Sequence, residues 1–390
     1  MEKIQQAQKI LREKKLDGWL LYDFRRSNTL AIKFLELQES AHLTRRLAYF
    51  IPAEGEPVKI VHAIEDFHLD HLPGRKVSYA GWQAFHERIA EVTRGKKIAM
   101  EYSPLGAIPY VSKVDAGIVE LISGFGASVF SSKDLLQHFT VVMDEEAIHT
   151  MQQAGAFLEE TATSAFLMIE KRLQQGESVT EASVQRFIQE AFDKKGYITD
   201  SPPICAAGKN SANPHYAGGE GEIRKGDPVL IDLWCKKDQP GSIYGDITKM
   251  GYAGMSPPAR FQEVFALVRE AQKAATDLVI KRVEAGETLL GYEVDDAARI
   301  VIQKKGYGPH FIHRTGHNIH TETHGDGANM DNYETHDDRE VIAATAFSIE
   351  PGIYLRGEFG VRLEYDLLVH PDRRVEIIGG VQDSLFLLDV

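Results

Sequence analysis

Ala346-Phe-Ser-Ile-Glu-Pro-Gly-Ile-Tyr354 and, after a turn at Arg356-Gly-Glu-Phe-Gly360, Val361-Arg-Leu-Glu-Tyr-Asp366 are the stretch from which the fold is read. Each run is apolar and strand-like, and each carries an acid, Glu350 in the first and Glu364 in the second. Taken alone, Glu364 fits an ordinary half-exposed strand, with Val361, Leu363, Tyr365 and Leu367 toward a core and Arg362, Glu364 and Asp366 toward water. An earlier stretch repeats the arrangement. Pro228-Val-Leu-Ile-Asp-Leu-Trp234 presents Asp232, the chain turns at Lys237-Asp-Gln-Pro-Gly241, and Ser242-Ile-Tyr-Gly-Asp-Ile-Thr248 presents Asp246. In both halves the two acids stand fourteen residues apart across a turn, which reads as an internal duplication: two hairpins, each offering two carboxylates.

Asp232 has apolar neighbours on both sides of the pleat, so no face of its strand is polar. A buried carboxylate must shift its pKa or find a cation. Arg362, Lys236 and Lys249 supply one solution, ion pairs. The other is a metal, and the segment His313-Arg-Thr-Gly-His-Asn-Ile-His-Thr-Glu-Thr-His324 supports it with four imidazoles in twelve residues. On a helix, His313 and His317 would share a face, as would His320 and His324. Gly316, Asn318 and three threonines instead favour a loop or short irregular strand that points imidazoles into a cavity. Two Asp, two Glu and one His make an oxygen-rich donor set suited to Mn²⁺, Co²⁺, Fe²⁺ or Zn²⁺. Four carboxylates exceed the charge of one divalent ion. Two ions ~3.5–4 Å apart would balance them and activate a shared hydroxide for attack on a polarised carbonyl.

With 390 residues, a length prior suggests about two domains. The formal charge of −13 argues against nucleic-acid and anionic-membrane partners. The opening Met-Glu-Lys-Ile-Gln-Gln-Ala lacks a signal-peptide pattern and no apolar run approaches ~20 residues, so a cytoplasmic protein is expected. Cys205 and Cys235 are too few for a disulfide framework and read as buried, reduced thiols. The first third alternates helical runs (4–15, 82–93, 112–122) with strand runs (17–22, 46–52, 58–62, 97–101, 127–131), an α/β domain without ligand spacing, expected to serve scaffolding, oligomerisation or substrate gating. A boundary falls near 139–143. Beyond it, helices are expected over 144–171, 180–195, 258–285 and 292–305, with a Pro-, Gly- and Asn-rich loop over 200–221 that carries His215.

The order Asp232, Asp246, His317, Glu350, Glu364 resembles the metal-ligand set of the pita-bread metallopeptidases, which include aminopeptidase P, prolidase and methionine aminopeptidase. The resemblance runs from about Asp144 to the end. The first third is similar, more weakly, to the creatinase-type N-terminal domain of prolidase and aminopeptidase P. It implies an α/β N-terminal domain over 1–140 and an α+β pita-bread catalytic domain over 144–390. It further implies that Asp232 binds one metal in bidentate fashion, that Asp246 and Glu364 bridge both, and that His317 and Glu350 complete the second site. A bridging hydroxide would be the nucleophile. His324 matches the histidine that stabilises the tetrahedral intermediate, and Glu350 the proton shuttle for the leaving amine. His215 and His313 match histidines that line the substrate pocket, while Arg362 would orient the bridging acids and Thr248 would do likewise for Asp246. The implied activity is a two-metal exopeptidase, manganese first among the ions, that removes an N-terminal residue or splits dipeptides, with proline in the second position. A small peptide is then the partner, and a homodimer the assembly. A non-catalytic peptide-binding protein and a creatinase-like amidinohydrolase are the alternatives, and the complete ligand set counts against both.

Three departures mark this chain. Gly-His-Gly-Ile-Gly of the family becomes Gly316-His-Asn-Ile-His320, which sets the imidazole of His320 at the pocket where glycine is common. Asp-Phe-Gly becomes Asp232-Leu-Trp234, so Trp234 narrows the pocket or stacks within it. His-Glu-x-Pro becomes His324-Gly-Asp-Gly-Ala328. The arginine that holds a dipeptide's carboxylate in some relatives is thereby left without a clear counterpart, and Arg339 and Arg356 are the replacements considered.

Overall fold

Ile4, Ala7, Ile10 and Leu11 recur at helical spacing and bury one face of Glu2–Glu13 (α1), the first element of the computed structural model, which describes residues 2–38 and 40–390. The chain divides into two units, Met1–Thr140 and Val141–Val390. In the first, strands Gly18–Phe24 (β1), Arg46–Pro52 (β2), Val58–His62 (β3), Arg75–Tyr79 (β4), Lys97–Met100 (β5) and Ser128–Ser131 (β6) form one mixed sheet in the order β4-β3-β2-β1-β5-β6. Helices Thr29–Phe34 (α2), Trp82–Thr93 (α3), Ala116–Gly124 (α4) and Lys133–Thr140 (α5) complete it. The helix expected from 112 begins at Ala116, because Asp115 caps it by accepting from the Ile118 N–H. Strand β4 and helices α2 and α5 were not anticipated; each is eight residues or fewer, too short for a clear period.

The second unit is built twice over. Glu145–Gln174 (α6), capped by Asp144, and Glu181–Lys195 (α7), held by a Thr180–Ser183 capping box and ended by Gly196 at φ 71°, precede the first hairpin. Short strands Tyr197–Ile198 (β7) and Ile204–Ala207 (β8) both pair with Pro228–Lys237 (β9), whose antiparallel partner is Gly245–Ala253 (β10). Then come Ala259–Glu284 (α8), Gly291–Lys304 (α9), Asn318–Ile319 (β11), Thr345–Ile349 (β12), Gly352–Leu355 (β13), Phe359–Arg362 (β14), Tyr365–Val369 (β15), Val375–Ile378 (β16) and Phe386–Leu388 (β17). Leu158, Phe166, Ile188 and Phe192 of the first helix pair pack on Val229, Ile231 and Ile247. Val268, Ala275, Val294 and Ile302 of the second pack on Phe347, Ile349 and Leu367. Each hairpin thus has one helix pair as its apolar backing.

The two hairpins differ in register. In the first, Thr248 lies opposite Asp232 and Trp234 opposite Asp246, so its acids are diagonal neighbours. In the second, Ile349 pairs with Tyr365 and Gly352 with Arg362, which leaves Glu350 and Glu364 facing each other where the ladder breaks. Pro351 has no N–H to continue that ladder. Here the Glu364 N–H crosses to the Thr248 carbonyl (3.1 Å) and the Glu350 N–H crosses to the Thr315 carbonyl (2.7 Å). The break therefore stitches the second hairpin to the first and to the histidine segment. The outward reading of Arg362, Glu364 and Asp366 is overturned: they are 4%, 3% and 0% exposed, because the strand's second face is covered by the first hairpin.

Gly316 is where the histidine segment crosses β12, and a Cβ there would sit 1.9 Å from the Ser348 carbonyl oxygen. Gly316→Ala should cost about 1–3 kcal/mol or more through forced backbone displacement. For a unit of this size that corresponds to a Tm lower by roughly 2–12 °C; a calorimetric Tm within a degree of the parent would show that the crossing is not close-packed.

Candidate metal centre

A cavity of about 380 Å³ in the second unit is lined by Asp232, Asp246, His317, Glu350 and Glu364, together with His215, His313, His324, Trp234 and Arg362. One ligand atom each from Asp246, His317 and Glu364 lies within 4.8 Å of the others, the spacing of donors around one ion. His317 Nε2 stands 3.5 Å from Glu350 Oε1 and 3.8 Å from Asp246 Oδ2. Its Nδ1 faces the Asn318 carbonyl at 3.4 Å, which can only accept, so that nitrogen carries the proton and Nε2 presents its lone pair to the cavity. Asp246 Oδ1 is buried and has no hydrogen-bond partner, an arrangement costly for a protein-only site. A cation removes that cost. The donor set and the orphaned oxygen together fit divalent metal.

Asp232 is bonded through Oδ2 to Arg362 Nη2. Arg362 also gives Nε to Thr248 Oγ1 (3.0 Å) and Nη1 to the Tyr354 hydroxyl (3.2 Å) and the Pro214 carbonyl (3.3 Å). The Thr248 hydroxyl in turn donates to Glu364 Oε2 at 2.6 Å. Arg362 therefore contacts Asp232 directly and reaches Glu364 through Thr248, and Thr248 is directed at Glu364 rather than at Asp246. The two roles expected of these residues are redistributed by the register that puts Thr248 opposite Asp232.

Burial dominates the electrostatics. It raises Asp246 and Glu364 well above the usual carboxylate range, and the neighbouring carboxylates push further in the same direction. Burial lifts Glu350 to about 7 against the pull of Arg362 and Arg314. Asp232 is raised as well, with Arg362 opposing. Burial also drives His317 well below its ordinary value, and His324 and Arg314 add to this. Without cations, burial favours the protonated form of the acids and the neutral form of the imidazole.

The other histidines separate into different situations. His313 gives Nδ1–H to the Arg314 carbonyl at 2.7 Å and accepts the Tyr354 hydroxyl at Nε2 at 2.8 Å; both ring nitrogens are engaged, which makes it a strut of the cavity wall. His324 packs edge-on against His317, ring centroids 4.2 Å apart, with solvent on its outer side. His215 is exposed at the cavity edge. Trp234 lines the cavity with its Nε1 bonded to Asp200 Oδ1 (2.7 Å), while Thr323 Oγ1 holds Asp200 Oδ2 (2.9 Å). His320 does not line the cavity. Two residues beyond Asn318, it shares the face of the short strand that turns away from His317. Arg339 is fully buried and bonded to Asp337 and the Asp326 carbonyl, and Arg356 is exposed in the turn between β13 and β14, so neither reaches the cavity.

Sequence reading missed Arg314, Glu334 and Asp200 in the lining, and the clamp behind it. Asp295 of α9 accepts Thr315 N–H (2.9 Å) and Oγ1–H (2.6 Å), and Arg299 holds the Phe311 and His313 carbonyls at 3.0 and 2.8 Å. These contacts join residues eleven or more apart, and no local pattern announces them. Arg314, next to His313, was the one within reach of inspection.

The model of metallopeptidase family M24 matches residues 149–371, more than half of the chain, and the chain belongs to that family. It is 27% identical over 348 residues to the probable dipeptidase PepE of Mycobacterium tuberculosis, covering 85% of this chain and 83% of that protein. It is 33% identical over 247 residues to the Xaa-Pro dipeptidase of Lactobacillus helveticus, 60% of this chain and 61% of the relative. Among solved structures, dipeptidase PepE from Mycobacterium ulcerans superposes with a TM-score of 0.70 at 22% identity over 100% of this chain and 98% of that one. The X-prolyl aminopeptidase from Caenorhabditis elegans, described as a cytosolic enzyme with a di-nuclear active site, gives a TM-score of 0.63 at 16% identity over 96% of this chain and 61% of that one. The fold is thus the pita-bread α+β architecture preceded by an α/β unit.

Raised carboxylate pKa values stabilise the fold at low pH and lose that contribution as pH climbs through the folded values. The depressed imidazoles act oppositely, but only as pH falls below about 6.5. Above that the acids of the centre respond, until buried Lys249, lowered to about 8, begins to act in the opposite sense. Metal-stripped protein should therefore lose Tm between pH 6.5 and 8, and added Mn²⁺ should abolish the slope; a flat profile without metal, followed by differential scanning fluorimetry, would contradict the burial of charge at this centre.

Proposed function

We propose that this chain is a two-metal exopeptidase that hydrolyses small peptides, with proline favoured after the scissile bond. The observation that carries the reading is the convergence of Asp232, Asp246, His317, Glu350 and Glu364 on one cavity in which a buried carboxylate oxygen has no protein partner. Names of relatives as dipeptidase and Xaa-Pro dipeptidase support the substrate class. Asp232, Asp246, His317, Glu350 and Glu364 are the residues that would hold the ions. Manganese is the first candidate, with cobalt, zinc and iron as substitutes. The first unit is read as a creatinase-like domain, and the protein as a cytoplasmic homodimer; no helix among the described residues is long and apolar enough to cross a membrane.

Divalent ions held here would lower the pKa of water and polarise the scissile carbonyl. The chain's own groups do the rest. Glu350, on the cavity wall 3.5 Å from His317 Nε2, is placed to take a proton and return it to the leaving amine. His324, braced on His317 at the open side of the cavity, is placed to donate to the oxygen that gains charge at the transition state. Arg362 favours the ionised form of Asp232 against the burial that raises it, and Thr248 fixes the orientation of Glu364. Helix-backed hairpins keep these groups in place as substrate enters.

Ala-Pro, Ala-Pro-Ala, Ala-Ala-Ala and Met-Ala-Ala offered to metal-stripped and Mn²⁺-restored protein form the direct test. Metal-dependent cleavage of the proline peptides is expected; no cleavage despite tightly bound metal would redirect the search to another substrate, and no metal binding would favour the binding-protein reading. In the same assay His324→Ala should retain metal while kcat falls about 10²–10³-fold, the scale of one lost transition-state donor. An unaltered kcat would take that role away from His324.

A further inference from the structure

His215 lines the cavity from a loop, and among the described residues its imidazole has no hydrogen-bond partner in the protein. Where the ring stands is therefore decided by the residues on either side of it. On one side the Pro214 carbonyl accepts Arg362 Nη1–H (3.3 Å). On the other, the Tyr216 hydroxyl donates to Glu181 Oε2 (2.7 Å). Glu181 is the first residue of α7 and is fully buried. Its Oε1 accepts the Ala207 N–H (2.7 Å) and Asn210 Nδ2–H (3.0 Å), so one carboxyl group gathers both ends of the segment 207–216. The start of α9 shows how much of this the duplicated fold requires. Glu181 and Ala182 give their N–H groups to the Gly221 and Gly219 carbonyls (2.9 and 3.0 Å), and Gly291 and Tyr292 give theirs to the Arg339 and Asp337 carbonyls (3.0 and 2.9 Å). The counterpart of Glu181 is thus Gly291, and backbone alone returns the loop to the helix there. The carboxyl group is an addition to that plan. A Cβ at Gly221 would fall 2.5 Å from Glu181 Oε2, so the returning loop leaves it room.

We propose that Glu181, which does not itself line the cavity, is a positioning residue of the active site: through Tyr216, Asn210 and Ala207 it sets the place of the His215 imidazole at the cavity edge. Its effect on turnover rests on the exopeptidase reading; the placement of the ring does not. Of the segment that Glu181 gathers, Pro214 and His215 are the residues that line the cavity, so a slackened loop is felt there as a displaced imidazole. The ring is within electrostatic reach of Asp232 and His324, and displacements of about 1 Å at such a position are enough to slow an enzyme substantially. Arg362 cannot compensate, because it holds Pro214 by a single bond at 3.3 Å and leaves the Tyr216 side to Glu181.

The test is a double-mutant cycle on kcat/KM for Ala-Pro with Mn²⁺-loaded protein, each variant checked for metal content. Glu181→Gln replaces one accepting oxygen by a donor, and Tyr216→Phe removes the hydroxyl without touching α7. Each should lower kcat/KM about 3- to 10-fold with metal retained, and neither should lower it further once His215 is alanine. The second readout needs no peptide. In Zn²⁺-loaded protein labelled at histidine, the His215 imidazole NMR signal, assigned by its loss in His215→Ala, should move in Tyr216→Phe while the other imidazole signals stay. A His215 signal unmoved in both variants overturns the assignment, as does full additivity with His215→Ala. Loss of metal from Tyr216→Phe overturns it too, since the contact would then support the unit at large. Failure of metal-loaded wild type to cleave Ala-Pro overturns the exopeptidase reading, and the His215 signal then decides the placement by itself.

Discussion

Carboxylates buried and crowded against one another are the constraint on which the second unit depends. Asp232, Asp246, Glu364 and Asp366 are each 6% exposed or less, and Glu350 shares their cavity or its wall. Protein groups answer only part of that charge. Arg362 serves Asp232, Thr248 serves Glu364, and Asp366 accepts the backbone N–H of Asp246 (2.9 Å). What remains unanswered is concentrated on Asp246 and its neighbours, which is where metal chemistry belongs. A site of this kind is expensive to fold without its cations, and its walls must be stiff enough to keep mutually repelling groups together.

Two helix-backed hairpins supply that stiffness, and their asymmetry supplies the geometry. An unbroken ladder would leave only side-chain bonds, Arg362 to Asp232, Thr248 to Glu364 and Asp366 to the Asp246 N–H, to hold the two acid pairs in contact. Breaking the second ladder at Pro351 frees two N–H groups, and their partners are Thr248 on the first hairpin and Thr315 beside the histidine segment. Hydrogen bonds that a regular strand would have used internally thus become the ties between the three segments bearing ligands. The acids at the break are held by their own backbone, so their side chains need few other supports.

Much of this was legible because burial leaves a mark on sequence: an acid inside Val-Leu-Ile is a local contradiction, and four histidines in twelve residues are a local excess. Long helices were legible from period and caps, with Asp144 and Thr180 marking their starts. The rest depended on pairings across the chain. Arg362 looked outward-facing because its strand alternates correctly for a solvated face; only the first hairpin, lying over that face, makes it internal. Asp295 and Arg299 look like any charged pair four residues apart on a helix. Their function, holding residues 311–315 in place, is set by a segment that begins twelve residues after Arg299, and nothing local distinguishes them.

Two of the three departures from the family pattern, at 316–320 and at 324–328, form a single packing unit, while Trp234 stands apart on Asp200. Asn318 replaces a glycine and gives Nδ2 to the Ala346 carbonyl (2.8 Å), while its Oδ1 accepts the Gly327 N–H (2.9 Å) and its carbonyl accepts the Gly325 N–H (2.7 Å). A Cβ at Gly325 would fall 2.2 Å from that side-chain oxygen, and one at Gly327 would fall 2.7 Å from its carbon. The larger residue at 318 therefore requires the small residues at 325 and 327. Buried Arg339 continues the unit by binding Asp337 and the Asp326 carbonyl between those two glycines. His324 sits at the start of this knot, so the replacement of His-Glu-x-Pro is a change in how the histidine loop is anchored.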